Sequence, residues 1–162
     1  MFRRATSDDL PALLELEREA NLAALGHVFP PHRYPYPDQD VLARWAQVLD
    51  EPGVEVVVRD DPAADGRLDV LVAYDATTLR HLAVRPDRWG TGLASTAIET
   101  ALQGMDRRGT TIAQLWCLEE NHRARRLYEY LGWRPTPDRQ SAPWPPHPIE
   151  MRYTRLIPQS ER

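Results

Sequence analysis

The sequence contains no lysine, and all 20 of its Lys/Arg positions are arginine. A Walker-type phosphate loop, which needs Gly-Lys-Ser/Thr, is therefore excluded. The single cysteine, Cys117, rules out an intrachain disulfide framework and metal clusters of the CxxC type, and no metal site is expected. No apolar run approaches membrane-spanning length, and the first residues lack the apolar core of a signal peptide. The expectation is a soluble, cytoplasmic protein with no membrane partner. Acidic residues outnumber basic ones for a formal net charge of −4, which argues against a global attraction to nucleic acid.

What is present suits one domain over residues 1–162, long enough to bury a sizeable core. The most informative stretch runs from Leu79 to Gly109. An apolar segment passes through Pro86 into the turn Trp89-Gly90-Thr91-Gly92. A helical pattern follows, with Leu93, Ala97, Ile98, Ala101, Leu102 and Met105 on one face. Gly109 stands where a helix C′ residue belongs, after Arg107 and Arg108, whose charges suit the negative end of the helix dipole. The unit reads strand, glycine turn, helix.

Such a junction suits phosphate. The first helical turn leaves backbone N–H groups unpaired, and glycine lets an anion come close to them. A GxG turn alone is equally a device for tight geometry. A dinucleotide fingerprint would need a third glycine where Ser95 stands.

The longer string Val84-Arg85-Pro86-Asp87-Arg88-Trp89-Gly90-Thr91-Gly92-Leu93-Ala94 resembles the acetyl-CoA motif of the GNAT N-acetyltransferase family. Val84, Pro86, Gly90, Gly92 and Ala94 match in register, while Trp89 replaces the usual Gln or Arg. Asn121, Arg123, Ala124, Leu127, Tyr128, Gly132 and Trp133 match the family's second signature, in the right order and at about the right separation. Read without the family, Asn121 is an N-cap and Gly132 a C′ residue. Ala124, Leu127, Tyr128 and Leu131 then share a helix face, making Tyr128 a core aromatic.

The order of elements predicts an α+β (mixed α/β) fold. Helices flank a central mixed, mostly antiparallel sheet in three α/β/α layers. A first strand covers residues 2–6, and Thr6 or Ser7 caps a helix that ends near Gly26, with Leu13, Leu14 and Leu16 in the core. A second helix follows Asp38 or Asp40. Residues 55–59 and 67–74 form a hairpin, and strands at 77–84, 111–118 and 149–157 complete the sheet. Two proline-rich loops stand out. Residues 27–38 carry Phe29, His32, Tyr34 and Tyr36, and residues 136–148 carry Trp144 and His147. The first reads as a stiffened surface loop or as a wall of an acceptor pocket. The second reads as disorder, a homodimer contact or a lid.

The resemblance implies acetyl transfer from acetyl-CoA to a primary amine of a small molecule. It places the pyrophosphate on Trp89, Gly90, Thr91, Gly92, Leu93 and Ala94, and the pantetheine arm along Leu82, Ala83 and Val84. Asn121, Arg123 and Ala124 complete the cofactor side, and Tyr128 protonates the departing thiolate. It also implies that Phe29, Tyr34 and Tyr36 help bind the acceptor. The general base is not implied by any matching residue. Arg80 and Thr78 have the parity family members use for it, and neither is a plausible base. His81 faces the other side of the sheet, and Glu119 is the best remaining carboxylate. Glu119 also reads as a charge near the next helix's N-terminus, and a water relay to Asp75 or His147 is a further route. Two other functions fit the same sequence: a catalytically silent acyl-CoA-binding sensor, and acetylation of a protein N-terminus or lysine.

Overall fold

The computed structural model describes residues 1–159. In chain order the elements are β1 (Phe2–Arg4), α1 (Leu10–Leu25), α2 (Asp38–Asp50), β2 (Glu55–Asp60), β3 (Leu68–Tyr74), β4 (Thr78–Val84), α3 (Leu93–Arg107), β5 (Ile112–Leu118), α4 (His122–Tyr130), β6 (Arg134–Ser141) and β7 (Ile149–Leu156). Short 3-10 turns at Ser7–Asp9 and Pro86–Arg88 lead into α1 and the glycine turn. The seven strands form one sheet in the order β1-β2-β3-β4-β5-β7-β6. Every neighbouring pair is antiparallel except β4 and β5.

Alternation along the strands divides the core into two. Val57, Val70, Val72 and Val84 face α3 and α4, where they meet Ala97, Ile98, Ala101 and Met105. Val56, Val58, Leu71 and Ala83 face α1 and α2, where they meet Leu13, Leu16, Val41 and Trp45. The layers are thus α1/α2, sheet, α3/α4. Leu14, expected in the core, is only partly buried against it.

Local signals set the helix ends. The Asp9 carboxylate accepts from the Thr6 N–H at 2.8 Å before α1, and Asn121 Oδ1 accepts from the Ala124 N–H at 3.2 Å to cap α4. Gly109 and Gly132 stop α3 and α4 with φ of 83° and 91°.

The second proline-rich loop is shorter than expected. Residues 134–141 form strand β6, leaving only 142–148 as a connection to β7. Pro135 and Pro137 read as strand breakers, but β6 is the sheet's edge strand. Its register shifts between Pro135 and Arg139, where missing N–H groups do not interrupt a ladder.

Candidate active site

The site begins where β4 and β5 part. Their paired positions are Thr78 with Gln114 and Leu79 with Leu115. Beyond these, β4 stays on β3 while β5 continues on β7, and a cleft opens between them. The Arg85 N–H donates to the Asp69 carbonyl at 2.9 Å, so alternation makes Ala83 and Leu71 the next mutually bonded pair. Leu82 and Val84 consequently turn their N–H and C=O groups toward the cleft. Ala83, expected as a backbone partner, uses those groups on β3 and only lines the wall.

At one end of the cleft sits the glycine turn. Gly90 and Gly92 have φ of 80° and 87°, a left-handed conformation that favours glycine. A Cβ added at either would meet no atom within 4 Å, so the turn faces open space. Gly90, Gly92, Leu93 and Ala94 line a cavity of about 470 Å³, together with Asn121, Arg123, Ala124 and Tyr128. Thr91 is not part of that lining and turns its hydroxyl to the Arg88 carbonyl at 2.5 Å. Trp89 donates its indole N–H to the Val84 carbonyl at 2.9 Å, and the Arg123 guanidinium lies 4.1 Å from the ring centroid. Arg88 and Arg126, which sequence reasoning missed, border the same cavity. Open space over two left-handed glycines, three arginines and the outward-facing backbone of Leu82 and Val84 fit a polyanion with an extended arm.

Arg88 is held from behind. Its guanidinium donates to Asp61 at 3.0 Å and lies 3.8 Å from Asp69, a carboxylate fully buried under the sheet end. Burial pushes the Asp69 carboxyl above the usual range. The neighbouring Arg85 is also fully buried, donating to the Leu68 carbonyl and to Glu19 of α1.

Tyr128 stands at the other end. It is buried, with Trp133 and Tyr153 ring centroids each 6.1 Å away. Its hydroxyl forms no hydrogen bond among the described residues. Tyr128 lines the 470 Å³ cavity and also a smaller one of about 170 Å³ that passes between the strands. Burial raises its phenol above the ordinary value, and the Cys117 thiol in the same cleft is pushed up to about 12 for the same reason. His81, packed on Trp45 with centroids 5.0 Å apart, lines the smaller cavity and is pushed down to about 3 by burial.

Glu119 is not brought to the site. Its carboxylate accepts from Arg139 of β6 at 2.8 Å and lines none of these cavities. The partner is in an element that the sequence concealed. His147 is likewise elsewhere, with Nδ1 3.0 Å from the Ala142 carbonyl, and Asp75 accepts from the N–H groups of Thr77 and Thr78.

A third cavity of about 360 Å³ lies between the two proline-rich loops. Phe29, Tyr34 and Tyr36 of the first loop line it, and Trp144 of the second joins them. Glu17 and Asn21 of α1 line both this cavity and the smaller one, and Asn21 borders the 470 Å³ cavity as well. Sequence reasoning missed both, because charged and amide groups on an amphipathic helix usually face water.

The split sheet, the glycine turn beside it and the phenol at the far end make this cleft the candidate active site. The family model for the acetyltransferase (GNAT) family matches residues 11–133, and the chain belongs to that family. Solved structures agree on the fold. An N-acetyltransferase (PaiA) of Thermoplasma acidophilum in complex with coenzyme A superposes with a TM-score of 0.72 at 14% identity, over 96% of this chain and 98% of that one. The ribosomal-protein-S18-alanine N-acetyltransferase of Escherichia coli gives 0.70 at 18%, over 100% and 96%. A variant of the spermidine N-acetyltransferase of Vibrio cholerae gives 0.67 at 18%, over 97% and 95%. No curated protein matches the sequence. Among the described residues, no helix is long and apolar enough to cross a membrane.

Proposed function

We propose that this chain uses acetyl-CoA to acetylate a primary amine of a small molecule, the amine attacking the thioester directly. The split between β4 and β5 carries this reading, because it exposes the Leu82 and Val84 backbone between the glycine turn and Tyr128. Bound there, acetyl-CoA supplies an acetyl group activated as a thioester.

The chain's own residues then have distinct tasks. The Gly90 and Gly92 turn, the first turn of α3 and the bordering arginines hold the phosphates. Leu82 offers its N–H and C=O to the extended arm and Val84 its N–H, the Val84 carbonyl being held by the Trp89 indole, and one of these N–H groups supports negative charge on the thioester carbonyl oxygen. Asn121 has its Oδ1 engaged as the cap of α4, which leaves its amide N–H groups to donate into the cleft. Tyr128 donates its proton to the departing sulfur. His81, held neutral, accepts a hydrogen bond from the amine. A group near 3 is a poor final sink for a proton from an amine near 10, so that proton goes on to solvent. Phe29, Tyr34 and Tyr36 form acceptor walls.

Two measurements test this. Acetyl-CoA at millimolar concentration raises the melting temperature and inorganic phosphate does so far less, whereas Gly92→Ala, strained at its φ of 87°, melts lower without ligand and loses the shift. Thiol release over an amine panel then separates an enzyme from a silent acyl-CoA sensor, which would show the shift without release.

A further inference from the structure

We propose that the cavity between the two proline-rich loops takes a primary amine carried on a flat aromatic body with no second charge, and that Glu17 docks its ammonium group. This rests on the transferase reading above and names the acceptor class of that site.

The walls argue for the aromatic body. Phe29, Tyr34, Tyr36 and Trp144 converge from two connections more than a hundred residues apart, and prolines in both loops limit how far the walls relax. A volume of about 360 Å³ lies within the range of small-molecule pockets. Flat rings stacked or set edge-on against such walls gain contact beyond area burial.

The charges argue against a polycation. The cavity has two carboxylates, Glu17 and Asp40, and two guanidinium groups, Arg33 and Arg44. Glu17 Oε2 already accepts from Arg44 and, at 2.5 Å, from the Trp45 indole N–H. A second and third ammonium group would find Arg33 and Arg44 as often as a carboxylate. One ammonium group has a place. A carboxylate accepts through both oxygens, and Glu17 Oε1 takes no hydrogen bond among the described residues.

The position of Glu17 argues for its role. Glu17 and Asn21 are one turn apart on α1 and share a face. Both line this cavity and also the smaller one, where His81, Leu82 and Tyr128 lie. An amine held at Glu17 by an aromatic body in the loops therefore sits on the boundary the two cavities share, on the side of the β4 backbone. Tyr36 adds a hydroxyl beside Asn21 and Glu17, kept protonated by burial and by the Glu17 charge. Glu17 is a positioning residue in this scheme.

The test uses the full chain with acetyl-CoA and three acceptors: 2-phenylethylamine, spermidine and a hexapeptide with a free N-terminal alanine. Product formation should show a kcat/KM for 2-phenylethylamine at least tenfold above the other two. Trp144→Ala should raise KM for that amine tenfold or more and leave KM for acetyl-CoA unchanged. Glu17→Gln should weaken 2-phenylethylamine binding by calorimetry about tenfold, but should not weaken toluene, which has the ring without the amine. Preference for spermidine or the peptide would overturn this proposal and leave the transferase intact. Equal effects of Trp144→Ala on both substrates, or of Glu17→Gln on amine and toluene, would overturn it too. Acetylation of no amine at all removes the transferase reading and this proposal with it.

Discussion

Trp89 donates its indole N–H to the carbonyl of Val84 at 2.9 Å, tying the foot of the glycine turn to the last residue of β4. The family's usual Gln or Arg is absent here, and the bond gives the tryptophan a task of its own. It fixes the turn against the strand and offers a ring face on which Arg123 rests at 4.1 Å. Trp89→Phe keeps the ring and removes the donor. A net hydrogen bond contributes about 0.5–1.5 kcal/mol, so coenzyme A should bind roughly two- to tenfold more weakly. Trp89→Ala also loses the platform under Arg123 and should be weaker again. Calorimetric titration with coenzyme A checks the order, and equal affinity for wild type and Trp89→Phe would remove this role.

Gly104 in the middle of α3 is a packing glycine. A Cβ there would lie 2.2 Å from the Tyr74 hydroxyl oxygen and 2.6 Å from two ring carbons. Helix propensity favours alanine by about 1 kcal/mol. Overpacking of a core typically costs about 1–3 kcal/mol, and Tyr74 is buried, so the clash should win. Gly104→Ala should lower the melting temperature by a few degrees, measured by scanning calorimetry. Adding Tyr74→Phe should restore only part, because the ring carbons remain in the way. A rise in melting temperature would show that Tyr74 moves aside freely.

His81 makes an acid-sensitive contribution. Its folded value, near 3, lies below the ordinary histidine value of about 6.5. Between these limits the unfolded chain binds the proton more readily, so stability falls as pH drops from about 6.5 toward 3. His81→Gln should melt lower than wild type at pH 7, since packing on Trp45 is lost. It should lose less of that stability between pH 7 and pH 5. Parallel pH profiles for the two proteins would mean that His81 is not held neutral.

Legibility of this fold followed the range of the interactions. The α4 cap at Asn121 and the stop at Gly132 are decided within a few residues, and both stand where the sequence places them. The glycine turn was readable for the same reason. Strand β6 was hidden because Pro135 and Pro137 break strands unless the strand is an edge, and edge position is a tertiary fact. Nothing local to α1 marks Glu17 for a role, because the Arg44 and Trp45 groups that close over it come 27 and 28 residues later. Glu119 lies at the end of β5 as expected, yet Arg139 of the concealed strand takes its carboxylate. Trp144 read as one of several loop roles, and only the folded hairpin brings it opposite Tyr34 and Tyr36.

Tyr128 and Cys117 together predict what the cleft does to sulfur. An ordinary cysteine ionises near 8.5, but burial pushes the Cys117 thiol up to about 12. Both residues line the same 170 Å³ cavity, so a thiolate leaving there meets the same poor solvation and needs a proton donor close by. The Tyr128 phenol is raised by burial and stays protonated, and its hydroxyl has no other partner among the described residues. Tyr128→Phe preserves the packing on Trp133 and Tyr153 and removes only that donor. It should fold normally and bind acetyl-CoA nearly as well as wild type. General-acid assistance is typically about 10²–10⁴-fold, so its single-turnover rate should fall at least about tenfold. Single turnover is the measurement to make, because slow product release would mask the chemical step. Because the phenol ionises only above its ordinary value of about 10, wild-type turnover should also show no alkaline loss from this group below that pH. An unchanged single-turnover rate in Tyr128→Phe would mean that the sulfur departs without this proton and that the tyrosine serves the core alone.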